Sequence, residues 1–580
     1  MFVIEYKVGS TEYDQHAKDQ VTDYALDLKN FHEGSHERWL VPIVVATKAV
    51  PSNTGLIWQA DRVAEPLCSN GDNLSDIIDL ALQDRKQGQS PAANGSDGSD
   101  WARTGYKPTP TIVEAAQALY EGHNVEDISR SGADAKNLSI TSECIFEIIA
   151  HSRQNRRKSI CFVTGVPGAG KTLAGLNIST RTLNVGNDEH AVFLSGNGPL
   201  VLVLREALAR DEVNRSKAAG TKIKKKAALQ SVSAFIQNIH HFRDEYLRTS
   251  EPPVDHVVVF DEAQRAWNRQ SAEKFMVQKR GEPSFEMSEP EFLISVMDRR
   301  QDWATIVCLI GGGQEINTGE AGLVEWFDAL QRKFPHWDVY HSGQLSNPTY
   351  SWGEDLSAKL GELNSVERPD LHLSVSVRSF RAEQLSNFVG CVIDGDELAA
   401  KQIFEHLAHY PLAVTRNYAT ARNWIRRHAR GSERTGVVAS SGALRLRPEG
   451  IHIKAGIDPA AWFLNGKDDV RSSYYLEEVA TEFDVQGLEL DWTIVCWDAN
   501  FRRLADGWGY FDFVGTKWQN VSDRFRKVYL ANAYRVLLTR ARQGMIIFMP
   551  EGQETDQTRP PHFYDQTFEF LKACGVPVVE

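Results

Sequence analysis

Gly165-Val166-Pro167-Gly168-Ala169-Gly170-Lys171-Thr172 follows the apolar run Ile160-Cys-Phe-Val-Thr164, and Leu173-Ala-Gly-Leu-Asn-Ile178 continues from it in helical rhythm. Strand, glycine loop and helix stand in the order a polyphosphate cradle requires. Glycines at 165, 168 and 170 let backbone N–H groups close around an anion at a helix N-terminus, where the dipole adds to the attraction. Pro167 and Ala169 complete the loop. In a G-x-x-x-x-G-K-T pattern the lysine, here Lys171, reaches the β- and γ-phosphates, and Thr172 offers its hydroxyl to Mg²⁺. The stretch predicts nucleoside triphosphate binding, with ATP and Mg²⁺ as the expected cofactors.

Further along, Val257-Val-Val-Phe-Asp261-Glu262-Ala-Gln264 is an apolar strand ending in paired carboxylates. Such groups sit beside the phosphate site of an open α/β sheet. Asp261 is expected to hold Mg²⁺, directly or through water, and Glu262 to orient or deprotonate the attacking water. Gln314, in Leu309-Ile-Gly-Gly-Gly-Gln314-Glu, follows the next strand and offers an amide that would sense the γ-phosphate. Arg378, in Ser374-Val-Ser-Val-Arg378-Ser-Phe-Arg381, and Arg540, in Tyr534-Arg-Val-Leu-Leu-Thr-Arg540-Ala-Arg542, are cations suited to neutralising a transferring phosphoryl group.

The short strand candidates alternate with helical stretches: 160–164, 191–194, 256–260 and 305–310, then 412–415, 436–439, 492–497 and 545–549. That alternation predicts an α/β fold with parallel sheets covered by helices on both faces. The expected organisation is a strand–helix–strand segment over 1–60 and a linker and helical region over 61–138, with a flexible Gly/Ser/Asp stretch at 86–100. A first α/β domain over 139–345, a second over 346–550 and a C-terminal tail over 551–580 complete it.

Composition narrows the partners. No run of about 18 apolar residues occurs, so no membrane partner is expected. The start lacks the basic-then-apolar pattern of a secretory signal. Seven cysteines without a C-x-x-C pair fit a reducing, cytoplasmic setting. A net charge of −13 leaves nucleic-acid contact to local basic surface. Arg215, Lys217, Lys222, Lys224, Lys225 and Lys226 form one such run, read as an exposed loop that is either merely solvated or tracks phosphates.

The ordered series GVPGAGKT, DEAQ, GGGQE, SVRSF, DVQGLELD and YRVLLTRAR resembles motifs I to VI of superfamily-one helicases. The forms SGNGPL (195–200), GGGQEI and EFDVQGLELDW look closer still to the Schlafen group-three-like DNA/RNA helicase domain, over about residues 139–550. The resemblance implies two tandem RecA-like P-loop domains. It makes Gln314 the coupling residue and Arg378 and Arg540 the γ-phosphate arginines. It places Gln486, Gly487 and Glu489 in the motif linking ATP to the strand, and sets Asn197 and its neighbours against the nucleic-acid backbone. Gln154 lies only 11 residues before Gly165, a departure from the helicase pattern for reading adenine.

Upstream, Ile4-Glu5-Tyr6-Lys7 on a strand and Gln20-Val-Thr-Asp-Tyr24 on a helix look like the tail of a PD-(D/E)xK nuclease motif. Glu5 would ligate a metal and Lys7 would stabilise charge at the scissile phosphate. Only Met1–Ile4 precede Glu5, so the aspartate-bearing strand of such a site is missing and the restriction-endonuclease-like α/β segment is expected to be partial.

The combined expectation is an ATPase of helicase type that moves on or remodels DNA or RNA, single-stranded at the point of contact, in nucleic-acid processing or antiphage defence. The alternatives are a nucleotide-dependent switch gating a protein partner and an ATP-regulated nuclease.

Overall fold

The structure, a computed structural model, describes residues 1–580 apart from 37, 53–54, 60, 87–100, 102–110, 124–131, 167, 185–190, 278–284, 312–321, 348–355, 375–379 and 408–409. Pro167, Gln314, Arg378 and nearly all of the expected flexible stretch at 86–100 therefore lie outside the described residues.

The chain divides into two units, one made of Met1–Thr109, Ser129–Gly132 and Arg426–Arg434, the other of the remainder. In the first unit, β1 (Phe2–Lys7), β2 (Val41–Ala46) and β3 (Leu67–Ser69) form a parallel sheet in the order β1-β2-β3. Asp14 caps the helix Gln15–Phe31 by accepting from Ala17 N at 2.6 Å. That helix buries Ala17, Val21 and Ala25. A second helix spans Leu74–Lys86. The expected boundary at residue 60 falls inside this unit, because β3 completes its sheet. Within the unit, Arg430 pairs with Asp61, and Asp23 Oδ1 accepts from Ser432 N at 3.0 Å.

The second unit holds two parallel sheets. The first comprises β4 (Lys158–Gly165), β5 (Ala191–Ser195), β6 (Ile236–Asn238), β7 (Val257–Asp261), β8 (Ala304–Gly311), β9 (Asp338–His341), β10 (Ser365–Glu367) and β11 (His372–Leu373). Their order is β10-β9-β4-β8-β7-β5-β6, with β11 pairing beside the end of β4. Strands such as β4 and β7 are apolar on both faces because helices cover both. β10 and β11 pair with β9 and β4, so the first sheet runs to Leu373 and not to the expected boundary at 345. These two short strands are held by partners distant in sequence and carry no local signal.

The second sheet comprises β12 (Leu412–Thr415), β13 (Thr435–Ala439), β14 (Val479–Ala480), β15 (Leu490–Cys496) and β19 (Ala541–Phe548), ordered β12-β19-β15-β13-β14. Between β15 and the helix Arg524–Leu538 lies an antiparallel meander, β16 (Phe501–Leu504), β17 (Gly507–Val514) and β18 (Lys517–Asn520). Residues 551–580, expected as a tail, instead cover this lobe. The helix His562–Ala573 buries Tyr564 and Leu571, and Val414 exchanges backbone bonds of 2.9 Å with Pro577 and Val579.

The two lobes share one apolar core. Leu200 and Leu204, on the helix Gly198–Ala218, join Trp462 and Phe463 of the helix Pro459–Leu464 and Val485 and Leu488 in it. Each fully buried side chain of this size contributes roughly 1.5–3 kcal/mol. The fold is α/β, with two tandem lobes, each built on a parallel sheet.

Candidate nucleotide site

The C-terminal ends of β4, β8 and β7 lie side by side, and the described residues at and after them make the site. Gly165 and Gly311 are direct partners across β4 and β8. Gly168 and Gly170 both have φ of +77°, the left-handed region where a side chain is strained. The loop they form turns the chain into the helix Lys171–Asn184. Gly165 is required for space: a Cβ there would lie 2.9 Å from Leu373 Cβ and 3.2 Å from Lys171 Cγ. β11 causes that crowding, with Leu373 O accepting from Val166 N at 3.1 Å.

Lys171 is largely buried and donates to Gly165 O at 3.0 Å and Val166 O at 3.2 Å. Thr172 Oγ1 donates to Asp261 at 3.2 and 3.3 Å. Burial, and then the neighbouring Glu262 charge, push the Asp261 carboxyl well above the usual carboxylate range, while Thr172 and Lys171 pull the other way. Glu262 takes φ +56° and ψ +48°, a conformation that costs a non-glycine residue about 1–2 kcal/mol. Its turn is held from outside, because Ala263 O accepts from Trp326 Nε1 at 3.0 Å. Strain maintained by surrounding structure is common at functional sites.

Gln264 joins the carboxylate to β8. Its Nε2 donates to Glu262 Oε2 and its Oε1 accepts from Gly311 N at 3.1 Å. A Cβ on Gly311 would lie 3.1 Å from Glu262 Oε2 and 3.4 Å from Lys171 Cε. Lys171, Glu262 and Gly311 thus crowd one point. Beneath the loop, Thr164 Oγ1 lies 2.6 Å from Ser342 Oγ and 2.9 Å from His372 Nδ1. Burial, and then the Lys171 charge, lower the His372 pKa. Among the described residues no three His, Cys, Asp or Glu side chains converge as a metal cluster. A divalent ion at Thr172 and Asp261 would take one or two protein oxygens, the habit of Mg²⁺ on phosphates.

The structure brings the second lobe's motif to this region. Gln486 is buried; its side-chain oxygen accepts from Arg265 Nη1 and its carbonyl from Asn197 Nδ2 at 2.6 Å. Gly487, at φ +77°, faces Leu200, with a built Cβ 3.2 Å from Leu200 Cδ2. Glu489 is partly buried just before β15. Arg540 is buried in its own lobe, with Nε on Val536 O at 3.1 Å and Nη2 on Thr539 Oγ1 at 3.3 Å.

One sequence expectation changes in part. The basic run is only partly a loop: Arg215 and Lys217 lie on the helix Gly198–Ala218, Lys222 and Lys224 stand exposed in the connection that follows, and Lys225 and Lys226 begin the helix Lys225–Phe235. Arg215 pairs with Asp211 at 2.7 Å and Lys225 with Glu206 at 2.5 Å. The first helix carries this tip about 31 Å from Asn197 by its rise, away from the strand ends that hold the motifs. Gln154 is exposed at the end of the helix Gly132–Asn155. It sits at the start of β4, about 26 Å of strand rise from the glycine loop, which separates it from a base bound there.

In the first unit, Glu5, Lys7, Gln20 and Tyr24 form one chain of bonds. Lys7 Nζ donates to Glu5 Oε1 at 3.0 Å and Gln20 Oε1 at 2.6 Å, and Gln20 Nε2 donates to Tyr24 Oη at 2.8 Å.

Sequence reading passed over Arg265 and Gly311. Arg265 is a cation inside a tight turn after an apolar strand, which is a weak signal. Gly311 ends an apolar strand beside the carboxylates, and that placement was readable.

Glycine loop, adjacent carboxylates and two parallel sheets define a helicase-like P-loop architecture. The family model described as Schlafen group 3, DNA/RNA helicase domain, matches residues 158–551. The chain belongs to that family, a class of helicase-like, nucleic-acid-binding enzymes. No curated protein matches the chain. Similar solved structures include a DUF1998 helicase, MrfA, bound to DNA, at 12% identity over 76% of this chain and 52% of that one, with a TM-score of 0.27. The Pyrococcus furiosus Hef helicase domain is similar at 14% identity over 70% of this chain and 95% of that one, with a TM-score of 0.22. The chain spans about half the length of the first. No helix among the described residues is long and apolar enough to cross a membrane.

Proposed function

We propose that the protein is a Mg²⁺–ATP-driven translocase or helicase of the cytoplasm that steps along single-stranded DNA or RNA. The observation that carries this is the meeting of Lys171, Thr172, Asp261, Glu262 and Gly311 at three adjacent strand ends. Lys171 exchanges its two loop carbonyls for phosphate oxygens. Thr172 and Asp261, already bonded, would hold Mg²⁺, which would supply positive charge against the triphosphate. Glu262, kept in place by Gln264, accepts the proton of the attacking water. Arg540 leaves Val536 O and Thr539 Oγ1 to reach the γ-phosphate, joined by Arg378, while Gln314 reports the state of that phosphate.

The test is ATP turnover with and without single-stranded DNA and RNA. Stimulation by either polymer supports the reading, and turnover that ignores both at low salt favours a switch acting on a protein partner. The Glu5–Lys7–Gln20–Tyr24 chain supports a second, subordinate activity, metal-dependent nucleic-acid cleavage. Mn²⁺-dependent nicking lost in Glu5→Ala supports it, and DNA left intact by the unaltered protein counts against it.

A further inference from the structure

Arg265 follows the acidic pair and closes its turn, its N–H donating to Glu262 O at 2.9 Å. Its guanidinium points the other way, to the buried side-chain oxygen of Gln486 in the second lobe. The same residue's carbonyl accepts from Asn197 Nδ2 at 2.6 Å, while Asn197 Oδ1 caps the helix Gly198–Ala218 by accepting from Leu200 N at 3.2 Å. Two donors from two loops of the first lobe therefore grip one residue of the second. Those loops follow β5 and β7, which are neighbours in the sheet. Gly487 lets this grip be close, since its left-handed backbone would strain a side chain and a built Cβ would press on Leu200 at 3.2 Å.

We propose that Arg265 is a positioning residue that couples the hydrolytic turn to the second lobe's motif: polymer bound against Asn197 and Gln486 acts on Glu262 through it. The inference rests on the ATP-driven, nucleic-acid-dependent reading above. A charged donor on a buried amide oxygen is among the stronger hydrogen bonds and leaves that oxygen poorly satisfied when removed. Movement of Gln486 is thus transmitted to Arg265, and from its backbone to the residue that faces the attacking water.

The experiment measures the ratio of polymer-stimulated to polymer-free ATP turnover in the unaltered protein, Arg265→Ala, Gln486→Ala and the double variant, with thermal unfolding beside it. Each single variant is expected to lower the ratio about tenfold, inside the roughly 5–150-fold range of coupling between sites. The double variant is expected to lower it no further, because the two side chains act as one unit. Arg265→Lys, which keeps a charged donor for the Gln486 oxygen, retains part of the ratio and reads the same contact should Arg265→Ala fail to fold. A ratio unchanged in the single variants, losses that multiply in the double variant, or loss in Arg265→Lys equal to that in Arg265→Ala would each overturn the coupling. If the unaltered protein is not stimulated by either polymer, the nucleic-acid-driven reading itself fails, and the coupling with it.

Discussion

Thr172 Oγ1 lies 3.2 Å from Asp261 Oδ2, so the hydroxyl opening the helix after the glycine loop is bonded to the carboxylate ending β7. The pair spans 89 residues of sequence and is the seat proposed above for a divalent ion. Thr172→Ala is expected to raise the Mg²⁺ concentration for half-maximal ATP turnover by about 10- to 100-fold, the usual cost of disturbing a metal's supporting oxygens. A Mg²⁺ titration of turnover checks this, and an unchanged requirement would remove Thr172 from the ion's coordination.

Asp261 sets a pH signature on stability. Burial and the Glu262 charge raise its folded pKa above the unfolded value. The carboxyl's contribution is therefore fully present below the unfolded pKa, and is lost as pH rises through the folded one. Asp261→Asn should unfold about 2–4 °C higher than the unaltered protein at pH 8 without Mg²⁺, the span of ~1 kcal/mol in a lobe of this size. The gap should shrink toward pH 5, while ATP turnover is abolished. A variant less stable at pH 8 would contradict the raised pKa.

Gly311 leaves only tight space for a methyl group. With Glu262 Oε2 at 3.1 Å and Lys171 Cε at 3.4 Å from a built Cβ, Gly311→Ala pushes one of them by a few tenths of an ångström. A full ångström of misplacement costs on the order of 100-fold in rate, so a shift of this size costs roughly tenfold. We expect that loss in kcat with little change in the far-ultraviolet circular dichroism, and full turnover would show that neither side chain needs its observed place.

Arg540 offers a sharper division. Its guanidinium bonds Val536 O and Thr539 Oγ1 of its own lobe. If it acts on the γ-phosphate during turnover, Arg540→Ala should lower kcat by ~10³-fold, the lower end for a charge-neutralising arginine. Binding of a fluorescent ATP analogue should weaken much less. A parallel loss of binding and turnover would mark a structural role.

Much of the first lobe's site was legible in the chain. Glycine spacing, the strand before it and the acidic pair each need specific residue types at fixed local offsets, so the cradle, Asp261 and Glu262 could be read directly. Long-range pairing was not legible. The two residues of β11 become a strand only because β4 lies beside them, yet they fix the space around Gly165. The basic run straddles two helix ends: Lys and Arg are good helix formers, so Arg215, Lys217, Lys225 and Lys226 join helices, while Lys222 and Lys224 stay in the connection between them. The meander β16–β18 did carry a signal, with Trp508, Tyr510 and Trp518 around Gly515-Thr516, a two-residue turn with positive φ at Gly515. Arg265 had none beyond its charge, since its role depends on Gln486, 221 residues away.

In the function proposed above, Lys171 serves an ATP-hydrolysing cycle driven by nucleic acid. Its most direct test is the steady-state ATP turnover of the unaltered protein and of Lys171→Ala, each with and without single-stranded DNA and RNA at low salt. Turnover that rises with polymer and falls by at least ~100-fold in Lys171→Ala is the predicted result. Turnover indifferent to both polymers, or undiminished without Lys171, would contradict it.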